Sequence, residues 1–95
     1  PKKKLLKYKG LNLLTLKSVV YVPGYTWLNA SYNLLCYLDT TIGHLRNLTT
    51  LDLSSNSLEY FTNRPFSELC QLETLNLSKN LIKTIPHQDF FDGNS

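Results

Sequence analysis

Side chains able to do acid–base, metal or thiol chemistry are few and scattered along these 95 residues. His44 and His87 fall far apart, and neither has a carboxylate or cysteine at ligand spacing, so no metal site is expected. Asp52 and Glu73 lie in segments that read as strands. A catalytic carboxylate pair needs a pocket that excludes water and drives the two pKa values apart, and an open strand face offers none. Gly10, Gly24, Gly43 and Gly93 are isolated, so no glycine-rich loop is present to cradle a phosphate. The expectation is therefore a chain with no catalytic residues, no metal and no cofactor.

Composition narrows the class without naming a function. With 42% apolar and 18% charged residues, the composition is that of a soluble globular chain and argues against wholesale disorder. Ninety-five residues make one domain at most, so core burial is scarce. No apolar run approaches the roughly 18 residues of a membrane span. A signal peptide, if the protein has one, lies outside this sequence. The net charge of +3 is uneven: Lys2, Lys3, Lys4, Lys7 and Lys9 supply five positive charges, and the remainder has five positive and seven negative. No basic stripe continues beyond that tract, so a nucleic-acid partner is not expected from this segment.

The elements that position these side chains are set by repetition. In "LTTLDLSSNSL", Leu48, Leu51, Leu53, Asn56 and Leu58 recur as Leu72, Leu75, Leu77, Asn80 and Ile82 in "LETLNLSKNLI". Upstream, Leu28, Ala30, Asn33 and Leu35 follow the same frame, and before them Leu6, Tyr8, Leu11 and Leu13, at spacings of 22, 23 and 24 residues. The second half of each unit agrees: Val19, Ile42 and Phe66, then Val22, Leu45 and Leu69, then Leu16, Leu38, Phe61 and Ile85, with Phe90 repeating Phe66. Four units result, 3–24, 25–47, 48–71 and 72–95, forming a single domain over 1–95.

The frame L-x-x-L-x-L-x-x-N-x-L, in four in-phase copies over nearly the whole chain, resembles the leucine-rich repeat. The third and fourth units fit best. The first departs from the pattern, with Lys3 and Leu11 at the usual leucine and asparagine positions. The resemblance implies an α/β leucine-rich-repeat solenoid, a horseshoe segment with a parallel β-sheet on its concave face and an irregular or 3-10 convex side.

Physical reasons support that frame. The x-Leu-x-Leu-x stretch alternates with period two, as a strand buried on one face does. Parallel stacking of such strands needs a long crossover, which a period of 22–24 residues supplies. Asn33, Asn56 and Asn80 stand where the chain leaves the strand, and an amide there can donate to and accept from otherwise orphaned backbone groups as a stacked ladder. A single unit cannot bury its own apolar face, and neither end carries a polar or cysteine-rich cap, so a segment of a longer solenoid is expected. Cys36 and Cys70 occupy different positions in their units and are not expected to pair.

Function is readable by class. Outward residues form columns: Lys7, Asn29, Asp52 and Asn76; Lys9, Ser31, Ser54 and Ser78; Leu5, Trp27, Thr50 and Thr74; Gly10, Tyr32, Ser55 and Lys79. Trp27 and Tyr32 are the leading binding candidates, because large aromatics on a polar face anchor partners, with Lys7, Lys9, Asn29 and Asp52 around them. Trp27 turning inward with Tyr25 outward is the competing arrangement. Tyr37 and Tyr60 share one unit position and should stack on the convex side. Asn29, Asn47 and Asn76 open N-x-S/T triplets, glycosylation candidates in a secreted chain, although the repeat itself generates "LNLS".

The 24-residue units with Phe66 and Phe90 near their ends resemble the extracellular class, and mixed unit lengths resemble Toll-like receptor ectodomains. That resemblance implies a non-catalytic module recognising a protein or other macromolecular ligand, as part of an extracellular or endosomal innate-immune-type receptor that can oligomerise. Intracellular scaffolds and noncatalytic docking segments of enzymes are the alternatives. Replacing Asn56 with Leu should leave turn groups unpaired and lower stability by on the order of 1–3 kcal/mol in urea titration.

Overall fold

The structure is a computed structural model that describes residues 5–17, 24–38, 40–61 and 65–83. Within them run six short strands, β1 (Leu5–Lys7), β2 (Trp27–Asn29), β3 (Tyr37–Leu38), β4 (Thr50–Asp52), β5 (Tyr60–Phe61) and β6 (Thr74–Asn76). A four-stranded parallel sheet has the order β1-β2-β4-β6, and β3 pairs with β5 in a second parallel sheet. The register is set by the leucine at the centre of each triplet: Leu6 faces Leu28, Leu28 faces Leu51, and Leu51 faces Leu75. The sequence spacing thus becomes a lateral stack, which is the solenoid the repeat implied.

Alternation explains why these triplets are strands. Leu6, Leu28 and Leu51 are buried, while Lys7, Asn29 and Asp52 after them turn to the other face. Backbone bonding also runs past the formal strand ends. Thr49 and Glu73 donate their N–H groups to Thr26 and Thr49 at 2.7 and 2.9 Å, and Ala30 and Leu53 donate to Asp52 and Asn76, both at 2.9 Å.

The return path closes the core from the other side. Leu45 and Leu48 donate to Ile42 and Leu45 at 3.1 and 3.2 Å; one coil later, Leu69 and Leu72 donate to Phe66 and Leu69 at 3.0 and 3.1 Å. These three-residue steps make a 3-10 helix at Thr40–His44 and turns in the following coil. They swing Ile42, Leu45, Phe66 and Leu69 into the interior, where Leu35, Leu38, Leu48, Leu51, Leu53 and Leu58 complete one continuous apolar cluster. Val19, Val22, Ile85 and Phe90 lie outside the described residues. Arg46 and Glu68 bridge neighbouring return paths at 3.1 Å, but with side chains 72% and 54% exposed the pair contributes no more than about 1 kcal/mol.

Burial is graded along the stack. Leu51 is fully enclosed between β2 and β6, whereas Leu72, Leu75 and Leu77 are only partly buried. Leu51→Ala should therefore lower the unfolding free energy by about 2–5 kcal/mol, and Leu75→Ala by distinctly less, with urea denaturation of both variants as the measurement.

Candidate functional site on the strand face

Each strand is followed by a sharp turn. In the second, third and fourth coils the residues from strand end to turn are "NASYN", "DLSSN" and "NLSKN". Asn29 Oδ1 accepts the N–H and hydroxyl of Ser31 at 3.1 and 2.7 Å. Asp52 Oδ1 does the same for Ser54 at 3.0 and 2.6 Å, and Asn76 Oδ1 for Ser78 at 3.0 and 2.7 Å. These side chains bracket their own backbone two residues on, as Asx turns do.

The bracket sets the serine carbonyl, which then receives two donors. Ser31 O accepts from Asn33 Nδ2 at 3.1 Å and from Gly10 N–H in the preceding coil at 3.0 Å. Ser54 O accepts from Asn56 Nδ2 and Tyr32 N–H, both at 3.1 Å. Ser78 O accepts from Asn80 Nδ2 at 3.1 Å and Ser55 N–H at 2.9 Å. The asparagines reach back across coils as well. Asn33 Oδ1 accepts from the N–H groups of Leu11 and Leu13 at 2.9 and 3.0 Å, Asn56 Oδ1 from Leu35 at 3.1 Å, and Asn80 Oδ1 from Leu58 at 2.9 Å. Asn33 and Asn56 are themselves buried, so the amides satisfy turn groups that water does not reach.

The column Gly10, Tyr32, Ser55 and Lys79 takes up left-handed backbone at this turn, with φ of 68°, 56°, 55° and 56°, and the first three donate their N–H groups to the next coil. Only Gly10 meets that demand without steric cost. Sequence columns placed Tyr32 on the outward face but carried no sign of this constraint.

Around this lattice the binding candidates separate by what else they do. Lys7, Asn29, Asp52 and Asn76 lie in direct register on adjacent strands, about 4.8 Å apart. Asn29, Asp52 and Asn76 are also brackets, whereas the first coil, "KYKGL", has Lys7 and Lys9 where bracket and serine stand elsewhere. Both lysines are exposed, and Lys9 Nζ lies 5.4 Å from the centroid of the Tyr32 ring, a cation–π contact that leaves the tyrosine 57% exposed. Trp27 is half-buried with its indole nitrogen enclosed, and Tyr25 packs against the core, so neither inward–outward arrangement weighed from sequence describes this coil. Tyr32, with Lys7 and Lys9, is the open part of the patch.

Apart from the Tyr37–Tyr60 pair, the sequence columns did not pick out a second set of exposed apolar side chains. Among the described residues, the exposed large hydrophobics besides Tyr32 are Leu11, Leu14, Leu34, Tyr37, Tyr60 and Leu81, all in the stretches between a strand of the four-stranded sheet and the return path. Tyr37 and Tyr60 are register partners in β3 and β5, and both remain about half exposed. Beside Tyr60 a shallow cleft is lined by Glu59, Leu81 and Lys83. The signal was present as apolar residues at unit positions where the repeat asks for none. Cys36 and Cys70 are both exposed free thiols. His44 is exposed on the 3-10 helix with Nδ1 3.0 Å from Thr41 O, and His87 is outside the described residues. Among the described residues no cluster of three His, Cys, Asp or Glu side chains is arranged to hold a metal ion, and no helix is long and apolar enough to cross a membrane.

The family model for the leucine rich repeat matches residues 26–82 and 46–95. The chain belongs to the leucine-rich-repeat family. Its fold is similar to the receptor in the crystal structure of a TLR13–ssRNA13 complex, with a TM-score of 0.73 and 32% identity over 84% of this chain and 12% of that one. Its sequence is 47% identical over 58 residues to adenylate cyclase of Schizosaccharomyces pombe, covering 61% of this chain and 3% of the cyclase. The chain thus spans a small fraction of either relative.

The left-handed column of this repeat makes a direct prediction. Ser55→Gly should raise stability by about 0.5–1 kcal/mol, the steric relief less glycine's entropy cost, and Ser55→Val should lower it by at least about 1 kcal/mol, both by chemical denaturation.

Proposed function

We propose that this chain is a non-catalytic recognition segment, binding a protein or other macromolecule through its strand face, within a receptor whose repeats face the cell exterior or the endosomal lumen. One observation carries the reading: β1, β2, β4 and β6 hold a continuous outward ribbon in register, and Lys7, Lys9 and Tyr32 on it are exposed and outside the turn brackets. An array of short strands fixed by its own turns presents side chains at low entropic cost, the condition for affinity from a flat surface. Similarity to TLR13 supports placement in an innate-immune-type receptor. Similarity to the yeast cyclase supports a second reading, an intracellular repeat that docks partners, either as a scaffold or as the noncatalytic part of an enzyme.

The two readings differ in topology. In intact cells making the full-length protein, the receptor reading expects this segment to be cut by external protease or sealed within endosomes; cleavage only after the plasma membrane is selectively opened supports the intracellular reading. Binding is tested on an array of secreted and membrane-protein ectodomains together with a short single-stranded RNA. At least one ectodomain should bind, and the paired change Lys9→Glu and Tyr32→Ala should weaken it tenfold or more, a loss of about 1.4 kcal/mol. Binding of the RNA alone, or ectodomain binding indifferent to those changes, overturns the proposed strand-face recognition of protein.

A further inference from the structure

We propose that Asn47, in an N-x-T triplet, is the glycan-bearing asparagine of this chain, and that the two N-x-S triplets, at Asn29 and Asn76, are turn brackets rather than modification sites. The proposal rests on the exterior or luminal placement given above, and it concerns which of three formally equivalent triplets the folded chain leaves for a sugar.

The bracket accounts for two of them. Asn29, Asp52 and Asn76 occupy one register position, and all three hold a serine two residues on, through one N–H and one hydroxyl at nearly identical distances. Asp52 does this with a carboxylate, which cannot carry an N-linked glycan. What the fold demands here is an oxygen acceptor followed by serine, and asparagine meets that demand as aspartate does. The bracket uses Oδ1 and not the Nδ2 that a glycan would take, so it accounts for the presence of these triplets without modification. A sugar at Asn29 would also have to leave a half-buried amide between Lys7 and Asp52, on strands about 4.8 Å away on either side. Asn76 is exposed like Asn47, so what sets it apart is its bracket and its place in the strand ribbon, where a sugar would stand beside Asp52 and cover the face proposed for recognition.

Asn47 is placed differently. It follows the return path, next to exposed Arg46, and its side chain is exposed. The equivalent positions in the neighbouring coils are Gly24 and Gln71, both exposed, so the repeat has no need of asparagine there. The next residue, Leu48, is fully buried and anchors the segment, and Thr49, which completes the triplet, donates its hydroxyl to Thr26 O at 3.2 Å. A glycan on Asn47 is therefore carried by an exposed side chain on an anchored backbone, three residues before β4 begins and outside the register positions of the strand ribbon.

The test is to secrete the full chain behind an added leader from cultured animal cells, remove N-glycans enzymatically in heavy-oxygen water, and map which asparagines have become labelled aspartate. Label at Asn47 alone is expected. One glycan's worth of mass should vanish in Asn47→Gln and Thr49→Ala, and persist in Thr49→Ser, Asn29→Gln and Asn76→Gln. An unlabelled Asn47, or label at Asn29 or Asn76 in the secreted protein, overturns the assignment. Because the leader forces passage through the glycosylating compartment, that result stands apart from the native protein's topology, which the protease experiment reads separately.

Discussion

A parallel sheet made from successive coils must turn the chain out of every strand without abandoning backbone polar groups inside the core. In this molecule the turn is closed by one carbonyl, that of the serine two residues beyond the strand. It accepts from an asparagine side chain of its own coil and from a left-handed N–H of the coil before. Neither the leucine stack nor the outward ribbon could keep its register without that junction, because a buried unpaired amide costs as much as several apolar contacts return. The junction also explains why bracket, serine and asparagine recur in the second, third and fourth coils, while the left-handed position, which supplies only its N–H, drifts from Gly10 to Tyr32, Ser55 and Lys79.

This arrangement bears on function by dividing the exposed face. Asn29 and Asp52 look like free recognition groups when read along a strand, yet half of each side chain's bonding is committed to the turn. The first coil lacks bracket, serine and asparagine, and so has lysines at positions without a turn duty. Its departure from the repeat is where the face becomes chemically distinctive, with Lys9 against the Tyr32 ring. Leu11, at the asparagine site of that coil, is largely exposed, and the N–H groups nearby are met instead by Asn33 from the next coil.

Much of the fold was legible because its main constraint is periodic. Leu28, Leu51 and Leu75 announced a shared interior by spacing alone, and the strands pair in the register those residues set. The return path was legible too, through the three-residue spacing of Ile42 and Leu45 and of Phe66 and Leu69, which their hydrogen-bond steps match; which of the two coils would form a 3-10 helix and which only turns was not. The candidate site was legible only as columns. Spacing gave Lys7, Asn29 and Asp52 one column, but not that Trp27 lies half within the surface while Tyr32 stands out from it. Nor did it show that Leu11, Leu34 and Leu81 stay exposed, because exposure depends on where the turn releases the chain.

By itself the sequence determined the period, the residues that line the core and the family to which the chain belongs, because burial of one apolar face per coil leaves its trace at fixed intervals. Only the tertiary structure decided which polar residues are spent inside the fold and which are offered outside it. The reason is physical: an asparagine, a serine or a tyrosine has the same identity whether its bonds close a turn or await a partner. The difference lies in neighbours 20 to 27 residues away that only stacking brings within reach.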